Sequence, residues 1–212
     1  MKNIVILISG RGSNMQALLT AKHNYRIAAV ISNKADAGGL AFAQAHSIPT
    51  AVVAHHDHPT REDFDTALAG VIDGFQPDFV ILAGFMRILT ANFVNHYQGR
   101  LINIHPSLLP AYTGLHTHAR ALQDGVKIHG CTVHFVTPEL DHGPIIIQAA
   151  VPVLASDSEQ ALSARVLHEE HRIFPQAVRW LCAGEIELGA DGKVVNHSRN
   201  QPGFALISPA LE

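Results

Sequence analysis

The chain has 212 residues, 47% of them hydrophobic and 16% charged, which suits one substantial core and excludes a disordered chain. Its formal net charge of -3 argues against a non-specific nucleic-acid binder, which needs a basic excess. The 15 histidines equal the lysines and arginines together and raise the question of a metal site.

From the N-terminus, Ile4-Val5-Ile6-Leu7-Ile8 is too short for the apolar region of a signal peptide and leads into glycines, so it reads as a buried strand. Strands are expected over Asn3–Ser9, Ile27–Ser32, Thr50–Val53, Asp78–Ala83 and Arg100–His105. Helices are expected between them, over Asn14–Lys22, Gly39–His46, Arg61–Gly74 and Ala91–Tyr97. Near-continuous apolar strands separated by helices specify an α/β fold, a Rossmann-like, mostly parallel sheet covered on both faces.

Beyond Pro106 the pattern changes. His129–Val136 alternates polar and apolar residues, and Pro144–Val153 is apolar, which suits an antiparallel extension of the sheet. Ser156-Asp157-Ser158-Glu159 reads as a capping box before a long helix carrying Leu162, Val166, Ile173, Ala177 and Leu181, with Gly184 as its stop. Glu185–Leu188 and Lys193–His197, joined through Asp191-Gly192, read as a closing hairpin. No repeat or linker divides the chain, so 1–212 is expected to be one domain. No apolar run approaches the ~20 residues that span a bilayer, and Cys131 and Cys182 form no Cys-x-x-Cys pair. A soluble, cytoplasmic protein with reduced cysteines is expected.

Strand Asn3–Ser9 is followed by Gly10-Arg11-Gly12-Ser13-Asn14 and then a helix. Free N–H groups and the helix dipole converge at such a junction and favour an anion. The residue three beyond Gly12 is Met15, so the third glycine of a dinucleotide fingerprint is missing, and no Gly-Lys-Ser/Thr ending is present. A single phosphate fits better than a pyrophosphate, and a plain tight turn capped by Ser13 or Asn14 is the competing reading.

The sharpest signal is Asn103-Ile104-His105-Pro106. On a strand Asn103 and His105 point to one face, and Pro106 ends the strand at the carboxyl edge where open α/β sheets hold ligands. An amide donor beside an imidazole suits a reaction that develops charge on a carbonyl oxygen. A capping Asn and a core His are the alternative.

The segment Asn103–Pro110 followed by Gly114-Leu115-His116-Thr117-His118 resembles the signature of the folate-dependent formyltransferases. The resemblance continues through Ser9–Asn14, Ser32–Asp36, Leu82–Leu89, Val133–Val136 and Leu140–Pro144, nearly the whole chain. It favours the short branch of that family, which acts on glycinamide ribonucleotide in purine biosynthesis.

The resemblance implies direct transfer of the formyl group of 10-formyltetrahydrofolate, a co-substrate, to the ribonucleotide's amine, without a metal. It implies a catalytic trio of Asn103, His105 and Asp141, although an aspartate before Gly143-Pro144 also suits a plain turn. His142 stands where many relatives have glycine. Ribonucleotide binding would fall to Gly12, Ser13, Asn14 and Glu170, with Leu167 where some relatives have a polar ligand. Glu170 is out of place on an apolar helix stripe unless it faces a site or a partner. The folate would lie against Met86, Arg87, Ile88 and Leu89, with Asn103 and the loop Thr137, Pro138, Glu139, Leu140 and Asp141. Arg61, at the start of a helix after Thr60, would meet the folate's glutamate. A monomer or weak homodimer is expected, with no nucleic-acid or membrane partner.

His55-His56-Asp57-His58 and His116-Thr117-His118 are the two metal-like clusters, but neither has apt ligand spacing. His116 and His118 are expected to bond loop carbonyls, and His134 to support the site from behind. A metal-dependent hydrolase using His105 and Asp141, and a non-catalytic sensor of a phosphate metabolite, are the competing functional classes.

Overall fold

The computed structural model describes residues 1–197 and Ser208. In chain order, β1 (Lys2–Ile8), α1 (Ser13–Thr20), β2 (Tyr25–Ser32), α2 (Gly38–Ala45), β3 (Thr50–Val52), α3 (Arg61–Asp73), β4 (Phe79–Leu82), α4 (Ala91–His96) and β5 (Leu101–His105) form the parallel part of the chain. There follow α5 (Thr117–Asp124), β6 (Ile128–Phe135), β7 (Ile145–Pro152), α6 (Glu159–Ala183) and the hairpin β8 (Ile186–Leu188) and β9 (Val194–Asn196). The seven-stranded sheet runs β3-β2-β1-β4-β5-β6-β7, parallel as far as β5 and antiparallel from β5 to β7.

β1 shows why both faces are covered. Ile4, Ile6 and Ile8 enter one core cluster together with Met15 and Leu18 of α1 and Leu162, Val166 and Phe174 of α6. Val5 and Leu7, pointing the other way, pack with Phe64, Leu68 and Ile72 of α3 and Phe93 and Val94 of α4. All five β1 side chains have no exposed surface, and each contributes about 1.5–3 kcal/mol of burial.

The expected strands and helices are all present, with ends shifted by a residue or two, as fraying termini allow. Two short elements escaped the sequence pattern. The polar stretch His55–Asp57 closes a 3-10 turn, and α5 extends over eight residues where no helix was expected. The cap of α6 is a correction. Ser158, not Ser156, caps it and accepts from Ala161 N, so Glu159 is the first helical residue and the reciprocal box is not formed. Asp157 turns instead to Arg165, with two bonds of 2.7 and 2.8 Å, and this guanidinium holds its carboxyl down at about 2. Cys131 and Cys182 are free thiols.

Candidate active site

The glycine loop leaves β1 and opens α1 as its sequence suggests. Gly12 is the N-cap, in left-handed backbone at φ 72, and no side chain caps the helix, so neither Ser13 nor Asn14 acts as an ordinary cap. The first amides of α1 therefore remain available to an anion. The loop and Ala83, Gly84 and Met86 line a cavity of about 210 Å³.

Asn14 does something the sequence did not disclose. Its Nδ2 donates to Glu170 Oε2 at 2.7 Å, joining α1 to α6 across 156 positions. Glu170 is 7% exposed, and burial raises its carboxyl while the Asn14 bond opposes the rise. It is no surface glutamate. Asn14 Oδ1 is buried without a partner. Leu167, one turn earlier on α6, is half-buried and brings no polar group.

At the end of β5, Asn103 and His105 lie on one face and pair in register with His134 and Thr132 of β6. His134 is buried, and burial lowers its imidazole's affinity for a proton. Its Nδ1 donates to the Phe135 carbonyl at 2.9 Å, so Nε2 carries the lone pair and accepts from Asn103 Nδ2 at 3.2 Å. That bond fixes the amide and leaves the second Nδ2 hydrogen for a ligand. Sequence alternation placed His134 on the right side, and the structure supplies its task.

His105 Nε2 donates to the Tyr112 carbonyl at 2.9 Å, and Nδ1 lies 3.5 Å from Asp141 Oδ2. A ring flanked by two acceptors can donate at both nitrogens only as imidazolium. Asp141 sits in left-handed backbone at φ 55, where aspartate is tolerated, and also accepts from Gly114 N at 2.8 Å. It is thus both the turn residue and the partner of His105. Gly143 explains the turn, because a Cβ there would overlap the Phe135 carbonyl oxygen. His142 has no left-handed backbone and its side chain is half-exposed, 3.8 Å from Glu139, so a non-glycine residue fits at that position.

Met86, Ile88 and Leu140 are 67%, 59% and 52% exposed, large apolar side chains open to solvent. Leu89 packs on the α3–α4 core, and the Arg87 guanidinium lies 4.7 Å from the Phe64 ring centroid. Thr137 Oγ1 donates to the Glu139 carbonyl, which shapes the exposed Pro138–Leu140 tip. Arg61 is not drawn in. It is exposed in the first turn of α3, and among the described residues no hydrogen bond or ion pair joins it to the other candidates.

Residues 2–178 match the family model described as formyl transferase. The chain belongs to the formyl transferase family. It is 50% identical over 208 residues to the phosphoribosylglycinamide formyltransferase of Escherichia coli (strain K12), covering 96% of this chain and 98% of that one. It is 46% identical over 195 residues to the trifunctional purine biosynthetic protein adenosine-3 of Homo sapiens, covering 90% of this chain and 19% of the relative. Its fold matches the phosphoribosylglycinamide formyltransferase of Coxiella burnetii with a TM-score of 0.89 and 47% identity, over 92% of this chain and 93% of that one.

In this formyl transferase the His55–His58 cluster shows ordinary contacts. His55 Nδ1 donates to the Asn33 carbonyl at 3.0 Å, and His56 lies exposed, 3.3 Å from Asp57. His116 and His118 are a correction, because among the described residues neither side chain bonds a loop carbonyl. His116 is the left-handed N-cap of α5, and His118 packs edge-on against His129 with ring centroids 5.3 Å apart. Burial holds His129 down at about 4, so it stays neutral. Among the described residues no group of three or more His, Cys, Asp or Glu is placed to hold a metal ion, and no helix is long and apolar enough to cross a membrane.

Proposed function

We propose that this formyl transferase moves the formyl group of 10-formyltetrahydrofolate to the amine of glycinamide ribonucleotide in purine biosynthesis. The observation that carries the reading is the cluster of Asn103, His105 and Asp141 at the end of β5, on the same carboxyl edge of the parallel sheet as the glycine loop after β1. The relatives' printed names add the ribonucleotide substrate.

The chemistry follows from the groups. The amine attacks the formyl carbon, and the carbonyl oxygen becomes an oxyanion in a tetrahedral adduct. Asn103, with its free Nδ2 hydrogen, and protonated His105 stabilise that oxygen. The attacking nitrogen loses a proton and N10 of the folate gains one as the C–N10 bond breaks, giving formylated ribonucleotide and tetrahydrofolate. Asp141 holds the imidazolium or positions a water that relays the proton from the attacking amine. The amine is itself the nucleophile, so no acyl-enzyme is needed.

Gly12, Ser13 and Asn14 take the ribose phosphate, and Glu170 the ribose hydroxyls, with Leu167 contributing contact only. Met86 to Leu89, Asn103 and Thr137 to Asp141 hold the pterin, whose flat ring suits an apolar slot with exposed backbone groups. Arg61 reaches the folate's glutamate carboxylate. We assign 1–212 to one formyltransferase domain, cytoplasmic, working as a monomer or weak homodimer.

The deciding experiment follows tetrahydrofolate formation from the two substrates after dialysis against a chelator. Turnover that needs the ribonucleotide and survives chelation is expected. Formylfolate consumption without the ribonucleotide, or activity restored only by a divalent metal, would favour a hydrolase.

A further inference from the structure

Four neighbouring strands, in the order β3, β2, β1 and β4, are each followed within four residues by a member of one hydrogen-bonded row: His55, Asn33, Ser9 and Met86. His55 Nδ1 donates to the Asn33 carbonyl at 3.0 Å. The Ser9 hydroxyl donates to Asn33 Oδ1 at 2.6 Å and accepts from the Met86 backbone amide at 2.8 Å. Ser9 and Asn33 are 6% and 2% exposed.

The row crosses between two segments with different proposed ligands. Ser9 immediately precedes the glycine loop, and Met86 opens the apolar segment assigned to the folate. The glycine loop and Met86 both line the 210 Å³ cavity. Without the Ser9 hydroxyl, Asn33 Oδ1 loses its partner in a buried place and the Met86 N–H loses its own at the rim of the cavity. The far end of the apolar segment is pinned separately, because Thr90 N donates to Asp65 Oδ2 at 2.6 Å. At its near end Ala83 N donates to the Leu7 carbonyl at 2.9 Å, and Leu89 packs on the α3–α4 core, so the bond at Met86 fixes the stretch between these anchors and its spacing from the glycine loop.

We propose that Ser9, held in place by Asn33, is a positioning residue that sets the distance between the anion loop and the folate wall and thereby governs folate affinity. The proposal rests on the assignment of those two segments given above. It gives Ser9 no contact with the reacting atoms.

The test pairs kinetics with hydrogen exchange at the Met86 amide in the full chain. In Ser9→Ala the Met86 amide is expected to exchange about tenfold faster, and the KM for formylfolate to rise about tenfold, with kcat falling about threefold or less. Asn33→Ala should show the same pattern more weakly. The double variant should be no worse than Ser9→Ala, because both act through one bond. Wild-type exchange at Met86 with an unchanged folate KM in Ser9→Ala would overturn the proposal, as would a loss confined to kcat. Should Ser9→Ala not fold, Asn33→Ala carries the same two readouts, and a wild-type Met86 amide that exchanges as fast as an open loop refutes the idea outright. Exchange is read without turnover. A wild type that transfers no formyl group therefore counts against the functional reading, whereas exchange unmoved by the substitution counts against the positioning role.

Discussion

Replacing Asp141 with asparagine separates charge from shape at the proposed site. The left-handed backbone at φ 55 accepts asparagine as readily as aspartate, and the amide oxygen can still take the Gly114 N–H. What disappears is attraction for a protonated His105, whose Nδ1 lies 3.5 Å from the carboxylate. The two side chains are 8% and 7% exposed, so water screens the pair little. At an effective dielectric of about 20, unit charges at this separation attract by about 5 kcal/mol. The amide dipole and local relaxation recover part of this, which leaves a loss of about 3–4 kcal/mol in the transition state, or about 10²–10³-fold in kcat. Steady-state kinetics with both substrates saturating reads the loss, and calorimetry should find the ribonucleotide Kd changed by about threefold at most. A folded variant that loses less than about tenfold in kcat, or one that loses affinity and keeps its turnover, would refute the imidazolium argument.

Asn103→Ala and His105→Ala should each lower turnover by ~10²-fold or more, and near-wild-type kcat in both would remove the oxyanion role. Glu170→Gln should stabilise the fold while weakening ribonucleotide binding. Its amide can donate to the unpartnered Asn14 Oδ1, worth about 1 kcal/mol. Burial raises the folded carboxyl above its unfolded value, so ionisation costs stability as pH rises through and beyond the ordinary carboxylate range. The Tm advantage of the variant should therefore be larger at pH 8 than at pH 4, and an advantage that shrinks with rising pH would contradict this. Gly143→Ala should cost about 3 kcal/mol or prevent folding, because its Cβ meets fixed backbone at Phe135. His142→Gly, one residue away, should stay within about 1 kcal/mol by denaturant titration, since the side chain lies in solvent.

The parallel half of the fold was legible because its strands are buried on both faces, and unbroken apolar runs such as Ile4–Ile8 leave few alternatives. Asn103 and His105 were legible for a related reason, since the proline after them fixes where the strand must end. The short elements were not. A 3-10 turn over His55–Asp57 has no apolar periodicity, and α5 is capped by His116 in a conformation that no sequence pattern announces. The cap of α6 was misplaced because three serine or aspartate side chains precede the helix, and only tertiary packing decides which one faces the free amides. Asn14 was read as part of an anion loop, while its side chain turns inward to Glu170. The misfit of Glu170 on an apolar stripe signalled a hidden partner without naming it. Ser9 and Asn33 gave no such signal, since their bond exists only through the order in which the strands assemble.

The contact between Asn14 and Glu170 spans 156 positions of sequence, and so bears on when the protein becomes competent as well as how. During synthesis the glycine loop, β5 and the His105 loop all leave the ribosome before α6. A nascent chain thus carries most of the proposed chemistry before the proposed ribose pocket has its floor. Competence then waits on the docking of α6 against α1 and β1. A ribonucleotide that binds only this finished state also protects it, by drawing the population toward the docked helix. Truncation within α6 would remove Glu170 together with part of the core that covers one face of the sheet, so it should cost stability as well as the proposed ribose contact.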